Sequence, residues 1–284
     1  MFKVNFIVTN DCNASMLPPT KGAPDVCSFC FRPIEKIETD KVTIKKIFEG
    51  LEKLSFMQPL VFTGGEPLVS PYISYILQEA YKKGYSISLH TNGLLLNQME
   101  AEIMPFVKYL SLPYDGHTPQ LADYYRGKGY FEICQTSMQI ALAHNVKIGL
   151  HTLVTPFNYS HLMEMSDSLI KSNIYSHLWY WYIKKYRKIN FAADVLGDEY
   201  EMEEQIYRNS VQNVRIRLDQ ANFDIYESGQ IEKTIVTFFV YANGNVYSYF
   251  TGNKANTFLG NVCSENWGNV VKRYEKLHNA AIIT

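Results

Sequence analysis

Leu60-Val61-Phe62-Thr63-Gly64-Gly65-Glu66-Pro67 runs from an apolar stretch directly into a glycine pair and an acid. The apolar residues read as a strand, and the two glycines as a place where backbone approaches something closely. A tight turn is the simplest account of the pair, so the neighbouring elements have to decide. Similar strand patterns cover Lys3–Thr9, Ser86–Thr91, Tyr109–Leu112, Lys147–Val154 and Leu178–Ile183, with Leu60–Thr63 second in the series. Helical spacing separates them: Ile44-Ile47-Phe48-Leu51-Leu54, Ile73-Ile76-Leu77-Ala80, Ile133-Met138-Ala141-Leu142, then Tyr159–Lys171 and Tyr200–Asn209. Six alternating units predict an α/β fold with a parallel sheet and helices outside it. Six are too few for a closed eight-stranded barrel, so a partial (β/α)6 TIM-type barrel is expected over residues 1–197. A C-terminal extension, 198–284, is expected to cap it. Within that extension Thr234–Tyr241 and Val246–Phe250 flank Asn243-Gly244, the signature of a β-hairpin.

Bulk properties narrow the function classes. The 284 residues carry 27 basic and 28 acidic side chains, a balance that disfavours a general nucleic-acid binder. The longest apolar stretch, near Ile235–Ala242, falls far short of the ~20 residues of a membrane helix. Met1–Phe6 lacks the basic and apolar regions of a signal peptide. Three of the five cysteines crowd into the first thirty residues, which argues for metal or catalytic use in a reducing, cytoplasmic setting.

Those three are Cys12 and the pair Cys27-Ser28-Phe29-Cys30. Thiolates suit zinc or iron–sulfur clusters. A structural zinc site closes four positions, whereas three ligands on a cluster leave one iron open to a small molecule. No histidine lies between Cys12 and Cys30 to complete a zinc site, although Asp11 and Asp25 are near. The C-x-x-C pair alone leaves zinc, a redox pair and chance all open.

Taken in order, the motifs resemble the radical S-adenosylmethionine superfamily. Cys12…Cys27-x-x-Cys30 follows the first strand and Gly64-Gly65-Glu66-Pro67 the second. Leu89-His90-Thr91-Asn92-Gly93 is similar to the third-strand T-N-G element, Ser111…Asp115-Gly116 to the fourth-strand element, and Tyr125-Arg126-Gly127-Lys128-Gly129 to its continuation. The resemblance covers most of the first 185 residues. It implies that Cys12, Cys27 and Cys30 ligate a [4Fe–4S] cluster whose open iron binds S-adenosylmethionine. It implies further that Gly64, Gly65 and Glu66 receive the amino end of that cofactor and Arg126 its carboxylate. Asn92, Ser111 and Asp115 become candidates for the ribose, and Leu153 and Val154 for packing on adenine. An electron donor such as flavodoxin or ferredoxin is the implied partner.

Two features depart from the common pattern. Fourteen residues separate Cys12 from Cys27, where three are usual, and three separate Ser111 from Asp115. The first spacing also resembles some 7-carboxy-7-deazaguanine synthases, which carry a segment before the first strand. Val4-Asn5-Phe6…Cys12-Asn13 and Cys27-Ser28-Phe29-Cys30-Phe31 resemble viperin-type members. Viperin-type enzymes act on nucleotides through basic residues, where this chain has Gly149, Leu178 and Tyr180. Lys184, Lys185, Arg187 and Lys188 read as a solvated face.

Trp179-Tyr180-Trp181-Tyr182 alternates on the sixth strand, predicting one pair under the helices and the other in the barrel lumen. An amphipathic aromatic wall suits a peptide or an uncharged ring. Leu259-Gly260-Asn261 resembles a stretch of peptide-modifying members. Of the remaining cysteines, Cys134 reads as a buried apolar residue and Cys263 as a candidate hydrogen donor. The expected activity is hydrogen abstraction from a peptide or small metabolite. The alternatives are a viperin-like nucleotide enzyme and a non-catalytic iron–sulfur or zinc protein.

Overall fold

The computed structural model describes residues 2–14, 36–186, 200–228, 237–248 and 257–282. Cys27, Cys30, most of the loop between Cys12 and Cys27, and the expected boundary near 198 lie outside these residues. The strands are β1 (Lys3–Thr9), β2 (Met57–Gly64), β3 (Ile87–His90), β4 (Tyr109–Pro113), β5 (Lys147–Val154), β6 (Leu178–Lys185), β7 (Asp224–Glu227), β8 (Thr237–Tyr241), β9 (Asn245–Ser248) and β10 (Thr257–Asn261). The helices are α1 (Lys41–Leu51), α2 (Ile73–Lys82), α3 (Leu96–Ile103), α4 (Pro119–Arg126), α5 (Tyr130–Ala143), α6 (Leu162–Lys171), α7 (Glu204–Arg217) and α8 (Trp267–Ile282).

All ten strands join one sheet in the order β10-β9-β8-β1-β2-β3-β4-β5-β6-β7. Neighbours from β8 through β7 run parallel, and β8-β9-β10 are antiparallel. Among the described residues the end strands β10 and β7 do not pair, so the sheet stays open, as six units led us to expect. The hairpin forms where Asn243-Gly244 predicted it, with Gly244 at φ +88°. It extends the barrel's own sheet through the parallel pairing of β8 with β1.

Alternation along the strands explains which side each residue serves. On β1, Val4, Phe6 and Val8 are buried toward the helices; Phe6 lies 5.6 Å from both Phe48 of α1 and Phe62 of β2. Helix α1 begins at Asp40, whose carboxylate accepts the Thr43 N–H at 2.7 Å, and it buries Ile44, Ile47, Phe48 and Leu51. Each such side chain contributes about 1.5–3 kcal/mol by leaving water. On β6, Trp181 is fully buried and donates from Nε1 to Thr152 Oγ1 at 2.8 Å, as the alternation predicted for one aromatic pair. Trp179 breaks the pattern. Leu178 pairs with Ile148 but Tyr180 with Gly149, so Trp179 is an extra residue in the strand and stacks on Tyr109 at 4.0 Å. Among the described residues no helix is long and apolar enough to cross a membrane.

Candidate functional site

The loops that leave β1, β2 and β3 are tied together at one end of the sheet. Gly65 N–H donates to the Thr9 carbonyl at 2.7 Å, and Glu66 N–H to the Asp11 carbonyl at 2.8 Å. This approach needs glycine: a Cβ on Gly64, whose φ is +145°, would sit 2.2 Å from Thr9 O, and one on Gly65 would sit 2.2 Å from Asp11 O. The two glycines thus bring the exit of β2 against the backbone that carries Cys12.

Glu66 extends the tie to β3. Its carboxylate accepts the Leu68 N–H (3.0 Å) and Thr91 hydroxyl (2.7 Å) on Oε1 and the Asn92 N–H (2.6 Å) on Oε2. Burial raises this carboxyl to about 7, against the lowering effect of those three hydrogen bonds. Asn92 then reaches back, its Nδ2 donating to Asn13 Oδ1 at 2.9 Å and approaching Cys12 Sγ at 3.9 Å. Three of the motifs read in the sequence therefore meet around Cys12.

On the far rim, Asp115 is buried and plays a comparable part. Oδ2 receives Arg126 Nε and Nη2, both at 2.8 Å, while Oδ1 receives the Leu153 N–H at 2.7 Å. Arg126, expected to meet a cofactor carboxylate, is thus anchored by Asp115. Asn158 donates to the Asp115 and Leu153 carbonyls (3.2 and 3.0 Å), fixing the exit of β5. Leu153 packs with Tyr124, Tyr186 and Tyr200 at this rim, while Val154 is fully buried. These tyrosines carried no recognisable motif.

Deeper in the lumen lies a cluster that motif reading did not assemble. Ser111 on β4, Tyr180 on β6 and His151 on β5 form a hydrogen-bonded chain, Tyr180 Oη lying 2.6 Å from Ser111 Oγ and 2.6 Å from His151 Nε2. His90 on β3 stands edge-on to His151 with ring centres 5.0 Å apart. The Ser111 hydroxyl is therefore engaged by Tyr180, while its carbonyl accepts the Thr91 N–H at 3.1 Å. Gly149 makes room for Tyr180, since a Cβ there would lie 2.5 Å from Tyr180 Cζ. Lys184, expected on a solvated face, continues the Tyr180–Tyr182 alternation with its Nζ 4.7 Å from the Tyr182 ring centre. The signal for this cluster was parity: Gly149, His151 and Leu153 pair with Tyr180, Tyr182 and Lys184.

Burial, and then the Lys184 charge, lowers His90 to about 3. Burial also lowers His151, followed by Lys184, His90 and Arg126. His90 has a folded value below its ordinary 6.5, so the folded chain binds fewer protons than the unfolded one. This group leaves stability untouched above about pH 6.5 and erodes it as pH falls toward 3, by a sum on the order of 4 kcal/mol. His90→Asn is expected to flatten that acid limb. Urea unfolding at stepped pH below neutrality reads it, and an unchanged slope would remove His90 from the account.

Cys134 on α5 is buried against the barrel, donating to the Pro113 carbonyl at 3.3 Å, and burial pushes its thiol up to about 12. Cys263 follows β10 on the α1 side, where its N–H meets Asn261 Oδ1 at 2.8 Å and the charges of Lys46 and Asp40 are nearby.

Residues 17–169, more than half of the chain, match the Radical SAM superfamily. An S-adenosylmethionine-dependent nucleotide dehydratase from Selenomonas ruminantium is 26% identical over 173 residues, covering 55% of this chain and 58% of that protein. An anSMEcpe structure with bound AdoMet has a TM-score of 0.74 at 15% identity, covering 96% of this chain and 82% of that one. SuiB of Streptococcus suis bound to S-adenosylmethionine has a TM-score of 0.70 at 13% identity, covering 95% and 65%; SuiB is also solved with its precursor peptide SuiA. The chain spans less than two thirds of the dehydratase and of SuiB. The structural likenesses concern the fold, and they agree with the open parallel sheet described above. With more than half its length matched, this chain belongs to the radical SAM superfamily, enzymes that use S-adenosylmethionine and an iron–sulfur cluster.

Proposed function

We propose that Cys12, Cys27 and Cys30 hold one [4Fe–4S] cluster, and that the enzyme abstracts hydrogen from a peptide or small metabolite. The observation that carries this reading is the convergence of the β1, β2 and β3 loops on Cys12 through Gly65, Glu66 and Asn92. The residues present fit the group. Cys12 offers a soft ligand. Asn13 Nδ2 is a buried donor with no partner among the described residues, a few atoms from the contact between Asn92 and Cys12. When bound and reduced by one electron from a flavodoxin- or ferredoxin-type donor, cluster and S-adenosylmethionine supply a 5′-deoxyadenosyl radical. The chain's own part is placement and shielding. Gly64, Gly65 and Glu66 shape the side of the site next to Cys12, while Asp115 holds Arg126 and its positive charge at the opposite rim.

The lumen beneath that site favours a peptide or other weakly charged substrate. Tyr180, Tyr182 and Tyr226 form an amphipathic wall, with Tyr226 centred 6.0 Å from Tyr180 and 6.5 Å from Tyr182. Peptides are bound in the SuiB and anSMEcpe structures. A second reading, a nucleotide substrate, draws on the dehydratase relative and on Lys184 in the lumen. Perdeuterated peptides and perdeuterated nucleoside triphosphates, incubated separately with the reduced enzyme, distinguish the two. Deuterium is expected in 5′-deoxyadenosine from the peptide set; label from the triphosphates alone would establish the second reading instead.

A further inference from the structure

We propose that Tyr180 is a hydrogen-atom donor to a carbon radical in the lumen, with His151 and Ser111 holding its oxygen. This rests on the radical reading above and goes beyond it by naming a protein group that exchanges hydrogen with the radical.

The geometry is specific. The Tyr180 ring crosses the barrel over Gly149, where a side chain would block it. Its oxygen is fixed between Ser111 Oγ and His151 Nε2, each at 2.6 Å. A phenol carries one proton, so its two short contacts have complementary roles. In our assignment His151 is the Nε2–H tautomer and donates to Oη, while the phenolic O–H donates to Ser111 at rest. Rotation about Cζ–Oη turns that O–H toward the lumen contents without moving the ring. Cys134 and Cys263 face elsewhere: Cys134 donates to the Pro113 carbonyl from α5, and Cys263 lies on the α1 side of the hairpin.

The step balances. The phenolic O–H bond breaks homolytically, a C–H bond forms at the radical carbon, and a neutral phenoxyl remains. Hydrogen bonds from His151 Nε2–H and the Ser111 hydroxyl stabilise the phenoxyl oxygen. One electron from the flavodoxin- or ferredoxin-type donor and one proton from lumen water restore the phenol.

The test uses the full reconstituted enzyme in D2O, in thiol-free buffer, with reductant and S-adenosylmethionine as the only added organic compound. Exchangeable Tyr180 O–D should label the 5′-deoxyadenosine formed, and mass spectrometry of that product reads the label per molecule. Tyr180→Phe, which removes only the oxygen, is expected to lose it, while Tyr81→Phe, on the exposed face of α2, retains it. Unlabelled product from the wild type, or label that survives Tyr180→Phe, overturns the proposal. A complete lack of 5′-deoxyadenosine would instead remove the radical reading beneath it. A second readout needs no turnover. Nitrogen NMR of histidine-labelled, cluster-free protein should show His151 protonated at Nε2, with a resonance shift in Tyr180→Phe; an Nδ1–H tautomer would overturn the assignment.

Discussion

Asp115→Ala is expected to cost the fold about 3–5 kcal/mol, because it leaves Arg126 without the carboxylate that its Nε and Nη2 both meet. The pair is shielded from water, with Asp115 1% and Arg126 15% exposed, so removing one member strands a poorly solvated charge. The Leu153 N–H loses its acceptor in the same change. A surface pair sets the scale: Asp167 and Arg217 approach within 2.6 Å but are 42% and 44% exposed. Asp167→Ala should therefore cost about 0–1 kcal/mol. Urea unfolding of the two variants side by side makes the comparison. Equal losses would show that Asp115 is not the strut that holds the β5 exit and Arg126.

Cys12→Ala should remove the chemistry altogether. In the proposed site Cys12 is the ligand that the stitched loops present, and its loss would leave the cluster two of its three protein thiolates. The variant is expected to retain little iron after anaerobic reconstitution and to release no 5′-deoxyadenosine. Cys263→Ala, altered on the α1 side of the hairpin, should keep its iron. If Cys12→Ala binds iron like the wild type, the cluster is held elsewhere.

The repeating framework was legible because each strand carries its own signal. Lys3–Thr9 and Lys147–Val154 match the observed strands residue for residue, and the hairpin turns on its Asn-Gly. Strand β7 was not visible: Asp-Ile-Tyr-Glu has no distinctive local pattern, and it is a strand because Tyr180–Ile183 pairs with it. The junction of β8 with β1 was hidden for the same reason, since parallel pairing across more than two hundred residues leaves no local trace.

The site divides along similar lines. Order along the chain pointed to Cys12, Gly64, Gly65, Glu66, Asn92, Asp115 and Arg126, and the fold brings their loops to one end of the sheet. The hydrogen-bond partners within the chain were less legible, because a sequence does not show which polar groups satisfy one another. Glu66 engages Leu68, Thr91 and Asn92; Arg126 engages Asp115; Ser111 engages Tyr180. His90 and His151 became neighbours only when β3, β4 and β5 were laid side by side.

One measurement reaches the central claim directly. The chain is purified and reconstituted without oxygen, then reduced in the presence of S-adenosylmethionine, and 5′-deoxyadenosine is quantified beside the iron content. A brown protein that forms 5′-deoxyadenosine is the predicted result. A colourless protein holding zinc, with no cleavage of S-adenosylmethionine, would contradict it.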